Sequence, residues 1–422
     1  MINLFFLVTE FVLYGFSIYL LCYRDDRILF YLPVTFYAYF MINPVAPASL
    51  HYLLTSLLIG KIIYYHPNFL KNNIFAVLLA LLYFFLLHKT DDFVSIRPHM
   101  FSVTSLFIFI SLTPEVYKKY SRQELFHELY QSAIIILVLF VLNALASTAS
   151  GYAPTEMYGI TSGLLFGNQD TTYFNILAFA FFVAIYRLTS QQRPMELIIF
   201  IVALAFIMLS LRRSAMGLSA LAVITMLSIL VFRGKVDKVV GFVLLSVFAG
   251  AIIFFSTDFI QEFIHRYELR KLDERELAEE KRFFEYDMLF RDTFISYDYD
   301  PWLGYALFDS PGNYGKGAFG DRSLHGDLTN IFHSTGLVGL LLYLSMVTTA
   351  FVQALLRVKS ITDLLIICFC AIAFSVYTIT GRYTQVDSML MMILLLMLPM
   401  GKIRRKILNN EVSTNNASRQ LS

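Results

Sequence analysis

Cysteine is scarce in this chain. There are three in 422 residues, Cys22, Cys368 and Cys370, and each lies inside an apolar run, which excludes both a disulfide framework and a zinc site. Charge is scarce as well: Asp, Glu, Lys and Arg make up 15% of the residues and leave a net charge of only +2, so no nucleic-acid partner is expected. No convincing internal repeat is present. The only glycine pattern resembling a nucleotide fingerprint, "GKGAFG" at 315–320, follows no strand and opens no helix, so it reads as loop. The first apolar run, "LFFLVTEFVLYGFSIYLLCY", is followed by Arg24, Asp25, Asp26 and Arg27 without a small-residue cleavage site, and is expected to be a retained helix.

What is abundant is apolar surface. Hydrophobic residues make up 57% of the chain, with 41 Phe and 26 Tyr, and runs long enough to cross a hydrocarbon core recur from end to end. The fold class is therefore all-α, a polytopic integral membrane protein of 12–13 transmembrane helices. The spans are expected at 3–22, 27–42, 46–65, 74–90, 99–112, 131–149, 171–188, 195–211, 214–232, 238–256, 336–356, 361–380 and 385–401. Thirteen spans leave the N-terminus outside; merging within 27–65 or omitting 99–112 gives twelve, with the N-terminus inside. The chain divides into an N-terminal helix bundle at 1–256, a large loop at 257–335, C-terminal helices at 336–401 and a tail at 402–422.

Basic residues orient the chain. Lys402, Arg404, Arg405 and Lys406, the turn with Arg357 and Lys359, and the turn with Arg233, Lys235 and Lys238 all belong in the cytoplasm by the positive-inside rule. The segment 257–330 carries nine Lys and Arg against sixteen Asp and Glu, a bias that suits the opposite face. Against this topology, Arg212 and Arg213 in "LSLRRSAMGLSA" are misplaced. They either snorkel to lipid phosphates or form a guanidinium fork for a phosphate or diphosphate. At the same face, "YGITSGLLFGNQDTTYFN" places Asn168 and Asp170 at a helix entry, where they suit both helix capping and sugar hydroxyls. A charged amphipathic helix is expected around "ELRKLDERELAEEKRFFEYDMLF", with Arg282 and Arg291 nearest its apolar residues. Glu10 is the clearest ionisable group within a span. Trp302, Tyr297, Tyr299 and Tyr305 can belt a membrane interface and stack on sugar faces.

The stretch "HGDLTNIFHSTGLVG" at 325–339 sets polar groups directly before an apolar run. His325, Gly336 eleven residues on and Gly339 three further have a spacing similar to that of the O-antigen ligase and polymerase superfamily, in which a loop histidine precedes a helix opening with G-x-x-G. "PWLG" at 301–304, "RRSA" at 212–215 and "SGLLFGNQD" at 162–170 resemble further elements of that family, in its order. Gly326 stands where the family often has Asn, Ser or Gln, and Arg212 where serine is usual.

This resemblance implies a bacterial cytoplasmic (inner) membrane glycosyltransferase that uses an undecaprenyl-diphosphate-linked oligosaccharide as donor, with no cofactor and no metal. Arg213 and Arg282, with Arg212 and Arg291 as alternates, would bind the diphosphate, and Asn168, Asp170 and Trp302 would contact glycan. His325 would be the general base, since imidazole titrates near working pH; the alternative is that it only bonds the loop to the helix mouth. His333 is expected to be structural, and Gly336 and Gly339 to permit close helix packing. Partners implied are membrane lipid and other polysaccharide-assembly proteins such as a chain-length regulator and a flippase. Polymerase and ligase share all these elements, and polymerase is preferred. A lipid-linked oligosaccharide flippase, or a non-catalytic partner of such a machine, would also be polytopic.

Overall fold

A computed structural model describes residues 1–90, 92–152, 167–168, 174–190, 194–210, 212–235, 240–241, 243–244, 247–248, 250–251, 261, 264, 281–318, 320, 322–324, 326–380 and 383–402. The described residues are mostly helical, with no β-strand among them and two isolated bridges, Ser121 to Lys402 and Asp300 to Gly304. The helices are α1 (Ile2–Tyr23), α2 (Leu32–Phe40), α3 (Ala48–Tyr65), α4 (Ile74–Leu86), α5 (Phe93–Lys119), α6 (Arg122–Ala149) and α7 (Asn175–Ser190). There follow α8 (Pro194–Leu209), α9 (Arg213–Phe232), α10 (Lys281–Phe294), α11 (Asp327–Leu355), α12 (Ile361–Thr380) and α13 (Val386–Leu396). Six of them, α1, α5, α6, α9, α11 and α12, are long and apolar enough to cross a membrane. This is an all-α protein with the helices of a multi-pass membrane protein. The expected span 238–256 falls mostly outside the described residues.

Local sequence explains the helix starts. At α6, Ser121 and Glu124 form a reciprocal cap: the Ser121 N–H and hydroxyl donate to Glu124 Oε2 at 2.9 and 2.6 Å, and the Glu124 N–H donates to Ser121 Oγ. Asp92 accepts from the N–H groups of Val94 and Ser95 at the head of α5. Asn73 caps α4 and donates to Met346 O at 2.9 Å, tying α4 to the middle of α11.

Boundaries differ from expectation at α5 and α6, and α6 starts at Arg122 rather than at 131. The short span 99–112 was bracketed by Pro98 and Pro114, yet α5 runs through both, from Phe93 to Lys119. A proline inside a helix frees the carbonyl four residues back. Beside the Pro114 break, Asn72 Nδ2 donates to Ser111 O at 3.1 Å, and the Ser111 and Thr113 hydroxyls donate to Phe107 O and Phe109 O of their own helix.

The helices share two chemically distinct ends. At one, buried Asp26 meets His66, Lys119 and the Tyr120 hydroxyl, and Glu128 meets Arg24 at 3.2 Å, Arg27 at 3.5 Å and the Tyr31 hydroxyl. Arg122 reaches Asp363, while Tyr120, Arg122 and Lys402 exchange backbone hydrogen bonds, so the residues after α13 return to this end. It also holds Arg187 and Arg233. At the opposite end lie the 41–47 turn, the entry to α7, the start of α9 and the segment 281–326. α1 ends at the basic cluster, so it begins at the loop end.

Glu10 receives a structural role from this arrangement. Its carboxylate accepts from the N–H groups of Val45 and Ala46 at 2.8 and 2.9 Å and from the Tyr14 hydroxyl, so it closes the turn broken by Pro44 and Pro47. A buried carboxylate with backbone donors is satisfied without a transported ion.

Candidate functional site

The "DPWLG" stretch forms a turn because Asp300 can bond its own backbone two and three residues on. Its Oδ1 accepts from Trp302 N at 2.9 Å and Leu303 N at 3.3 Å, its carbonyl accepts from Gly304 N, and Gly304 then takes φ +68°. α11, capped by Gly326, runs regularly to Thr335 and breaks at Gly336, where φ is 64° and ψ −163°, before continuing to Leu355. The amides just past such a break have lost their helical acceptors. Pro301 O takes the Leu337 N–H at 2.9 Å, Trp302 O takes that of Val338 at 3.2 Å, and Tyr305 N donates to His333 O at 2.8 Å. The turn is thus clamped onto the break, backbone against backbone. A Cβ on Gly336 would stand 2.3 Å from Trp302 C, and one on Gly304 2.5 Å from His333 O.

This corrects two readings. The G-x-x-G pair does not open the helix, which starts nine residues earlier at Asp327, and Gly336 makes room for the loop rather than for a neighbouring helix. Gly336 accommodates the loop, and Gly339 faces the Thr335 side chain of its own helix. Sequence placed the start at Gly336 because residues 327–335 are polar; they are nonetheless helical and largely buried beneath the loop.

The loop itself is held by buried polar groups. Asp292 of α10 accepts from the Tyr299 hydroxyl at 2.9 Å and from Gly315 N at 2.6 Å, and the Tyr299 hydroxyl also approaches Asn313 O. Burial first, and then the Asp292 carboxylate, pushes the Tyr299 phenol well above its ordinary range, so it stays a neutral donor. Glu285, fully buried, pairs with Arg322 at 2.8 Å. Ser310 Oγ accepts from Leu324 N, and Ser334 Oγ from Phe308 N. His333 is buried between Tyr299 and Tyr305 with Nε2 at 3.1 Å from Asn313 O.

Where α11 meets the bundle, three buried tyrosines gather from distant helices. Tyr83 of α4 and Tyr383 share a hydrogen bond between hydroxyls, and Tyr343 of α11 packs on Tyr383 with ring centroids 5.7 Å apart. Phe308 of the loop covers both Tyr83 and Tyr383. Asp327, fully buried at the head of α11, lies within electrostatic reach of Tyr343, Tyr383 and Tyr286. The Tyr286 phenol is raised, by burial and then by that carboxylate. A carboxylate and several phenols packed beneath a polar loop make a buried polar network that fixes how the loop sits on the bundle. Sequence reasoning missed this cluster, because residues 83, 286, 327, 343 and 383 share no spacing; only the Asp300 turn had a local signal, Asp-Pro with Gly following.

The residues expected to act are distributed as follows. His325 lies outside the described residues, between buried Leu324 and Gly326. Asp170 lies outside them as well, as does the side chain of Arg282, whose backbone is in the first turn of α10. Arg213 is exposed in the first turn of α9, and Arg212, at its N-cap, sets its guanidinium over the Phe174 ring at 5.4 Å. Arg291 pairs with Asp287 one turn back at 2.9 Å, both largely solvated. Asn168 is tied into the bundle: its amide donates to Met41 O and Asn43, and Asn143 bonds its backbone. Trp302 is 62% exposed while its carbonyl holds α11. Arg212, Arg213, Asn168, Trp302 and Gly326 thus share the loop end; Arg291 is engaged locally. Tyr297 is open, whereas Tyr299 and Tyr305 face His333.

No known family model matches this chain, and no curated protein matches it.

Proposed function

We propose that this protein is a membrane glycosyltransferase of the O-antigen polymerase type, joining undecaprenyl-diphosphate-linked oligosaccharides at the external face of a bacterial inner membrane. The observation behind this reading is the contact between "PWLG" and "GLVG": two of the four sequence elements that carry the resemblance lock together through backbone at the foot of the polar loop. Further support comes from the ends of the bundle. Basic residues collect opposite the loop, as the positive-inside rule expects for an external loop, and α1 begins at the loop end, as thirteen spans require.

In the reaction, an acceptor hydroxyl attacks the anomeric carbon of the donor sugar, the bond from that carbon to the phosphate oxygen breaks, and undecaprenyl diphosphate departs. His325 takes the hydroxyl proton, and Arg213 with Arg282 stabilise the charge growing on the diphosphate. Neither cofactor nor metal is required. Transfer of the same glycan to lipid A-core, a ligase reaction, uses identical chemistry. The satisfied Glu10 weighs against a flippase, since it removes the principal intramembrane charge from consideration.

The test is a purified system supplied with lipid-linked repeat units and no nucleotide. Wild type should produce a ladder, and His325→Ala should lower its rate by about a hundredfold or more. Arg213→Ala and Arg282→Ala should abolish it at unchanged abundance, with lysine restoring only part. A ladder from His325→Ala equal to wild type overturns the catalytic assignment; product formed only with lipid A-core replaces polymerase by ligase. Cysteines at exposed Lys316 and at Lys235 should be labelled from opposite sides, and cytoplasmic labelling at Lys316 removes the whole reading.

A further inference from the structure

α10 turns its acids inward and its phenylalanines outward. The side chains it buries recur at helical spacing, Glu285, Leu289 and Asp292, and the two carboxylates are only 0% and 3% exposed. Both acids have partners inside the loop, Glu285 with Arg322, and Asp292 with the Tyr299 hydroxyl and Gly315 N. On the other face Phe284 and Phe290 are 43% and 56% exposed, and Ile295, directly after the helix, is 64% exposed. Asp287 and Arg291 lie among them as an ion pair at 2.9 Å, so each charge is offset by the other. A helix surrounded by water does the reverse, burying its aromatic residues and solvating its carboxylates. The outward face of α10 is therefore built for a medium other than water.

Both ends of α10 are held where the membrane helices end. Near its start, a Cβ on Gly326 would stand 3.5 Å from the Tyr286 hydroxyl and 3.6 Å from Thr378 O, which belongs to the last turn of α12. At its finish, Phe294 stacks on Phe332 with ring centroids 6.1 Å apart. Phe332 lies one turn before the Gly336 break, after which the apolar run of α11 begins. α10 thus lies against the loop end of the bundle instead of projecting from it. Tyr297 and Trp302, which follow it in the chain, are both exposed, and such rings favour the boundary between headgroups and acyl chains.

We propose that α10 is an interfacial helix whose Phe284, Phe290 and Ile295 face is set into the lipid leaflet at the loop end, to a depth of about 5–10 Å. This rests on the multi-pass fold and is independent of glycosyl transfer. Trp302→Phe removes the chain's single tryptophan, and Phe284→Trp, Phe290→Trp or Lys316→Trp is then introduced one at a time, Lys316 being an exposed loop position. The full-length variants are placed in phosphatidylcholine nanodiscs, with or without bromine near the top of the acyl chains. Phe284→Trp and Phe290→Trp should lose most of their fluorescence to the brominated lipid and should be quenched by aqueous iodide far less than Lys316→Trp. Moving the bromine to the chain ends should weaken the quenching, since an interfacial helix stays clear of the bilayer centre. If the Trp302→Phe background does not fold, the same variants are made with Trp302 retained and read as the difference from wild type. Quenching of Phe284→Trp and Phe290→Trp by iodide and not by brominated lipid overturns the proposal. Protection from both quenchers overturns it as well, because protein, a second copy or another segment of this chain, would then cover the face.

Discussion

Replacing Gly336 by alanine should undo the clamp between loop and helix while leaving the bundle standing. The backbone there, φ 64° and ψ −163°, belongs to a region essentially reserved for glycine, and forcing alanine into it costs about 1–3 kcal/mol. The new methyl group would also stand 2.3 Å from Trp302 C and 2.4 Å from Trp302 O, backbone atoms that cannot rotate away, so the turn must retreat. Retreat breaks the bonds from Leu337 N to Pro301 O and from Val338 N to Trp302 O, at about 1 kcal/mol each.

The total, about 3–5 kcal/mol, raises the opened population about a hundredfold or more, since 1.4 kcal/mol is a factor of ten. Hydrogen exchange at the Leu337 and Val338 amides reads this directly, and tryptic cleavage after Lys316 provides an independent rate. Gly15→Ala is the control: its methyl, on α1, would meet nothing within 4 Å and should leave both amides unchanged. Exchange at Leu337 and Val338 in Gly336→Ala within about threefold of wild type would refute the clamp, as would equal effects at the two glycines.

Glu10→Ala should destabilise the protein by about 3 kcal/mol, because two buried backbone donors lose a charged acceptor, and Glu10→Gln by less, because one oxygen remains. Thermal unfolding checks both, and a folded Glu10→Gln that has lost all glycan turnover would return a transport role to this residue. For Tyr299, whose folded phenol titrates above its ordinary value of 10.0, the loop's hydrogen bond to Asp292 is present throughout the range below that value and is lost as pH rises through and beyond it. Loop protection measured by proteolysis should therefore be flat from about pH 7 to 9 and decline above about pH 10, a decline that Tyr299→Phe should abolish. A decline already complete at neutral pH would contradict the assigned partner.

Much of this protein was legible in its sequence because membrane helices obey local rules. Length and hydropathy marked α1, α9 and α12 within a few residues, since a segment that must satisfy every backbone group internally leaves few alternatives to helix. The same rules failed where a neighbour changes the local outcome. The short span expected at 99–112 is part of a longer helix, α5, that runs through Pro98 and Pro114 and is packed against Asn72. Residues 327–335 looked like loop because they are polar, yet burial under 281–326 makes helix the only way to pair their backbone. The glycines at 304 and 336 were visible as a pattern, but their reason was not: each is glycine because the other segment's backbone occupies the space of a side chain, a fact about two stretches 32 residues apart. The gathering of Tyr83, Tyr343 and Tyr383 near Asp327 belongs to the same class. Helix identity follows from each residue's own chemistry, whereas a site is defined by which helices pack side by side, and that is decided only when the tertiary structure forms.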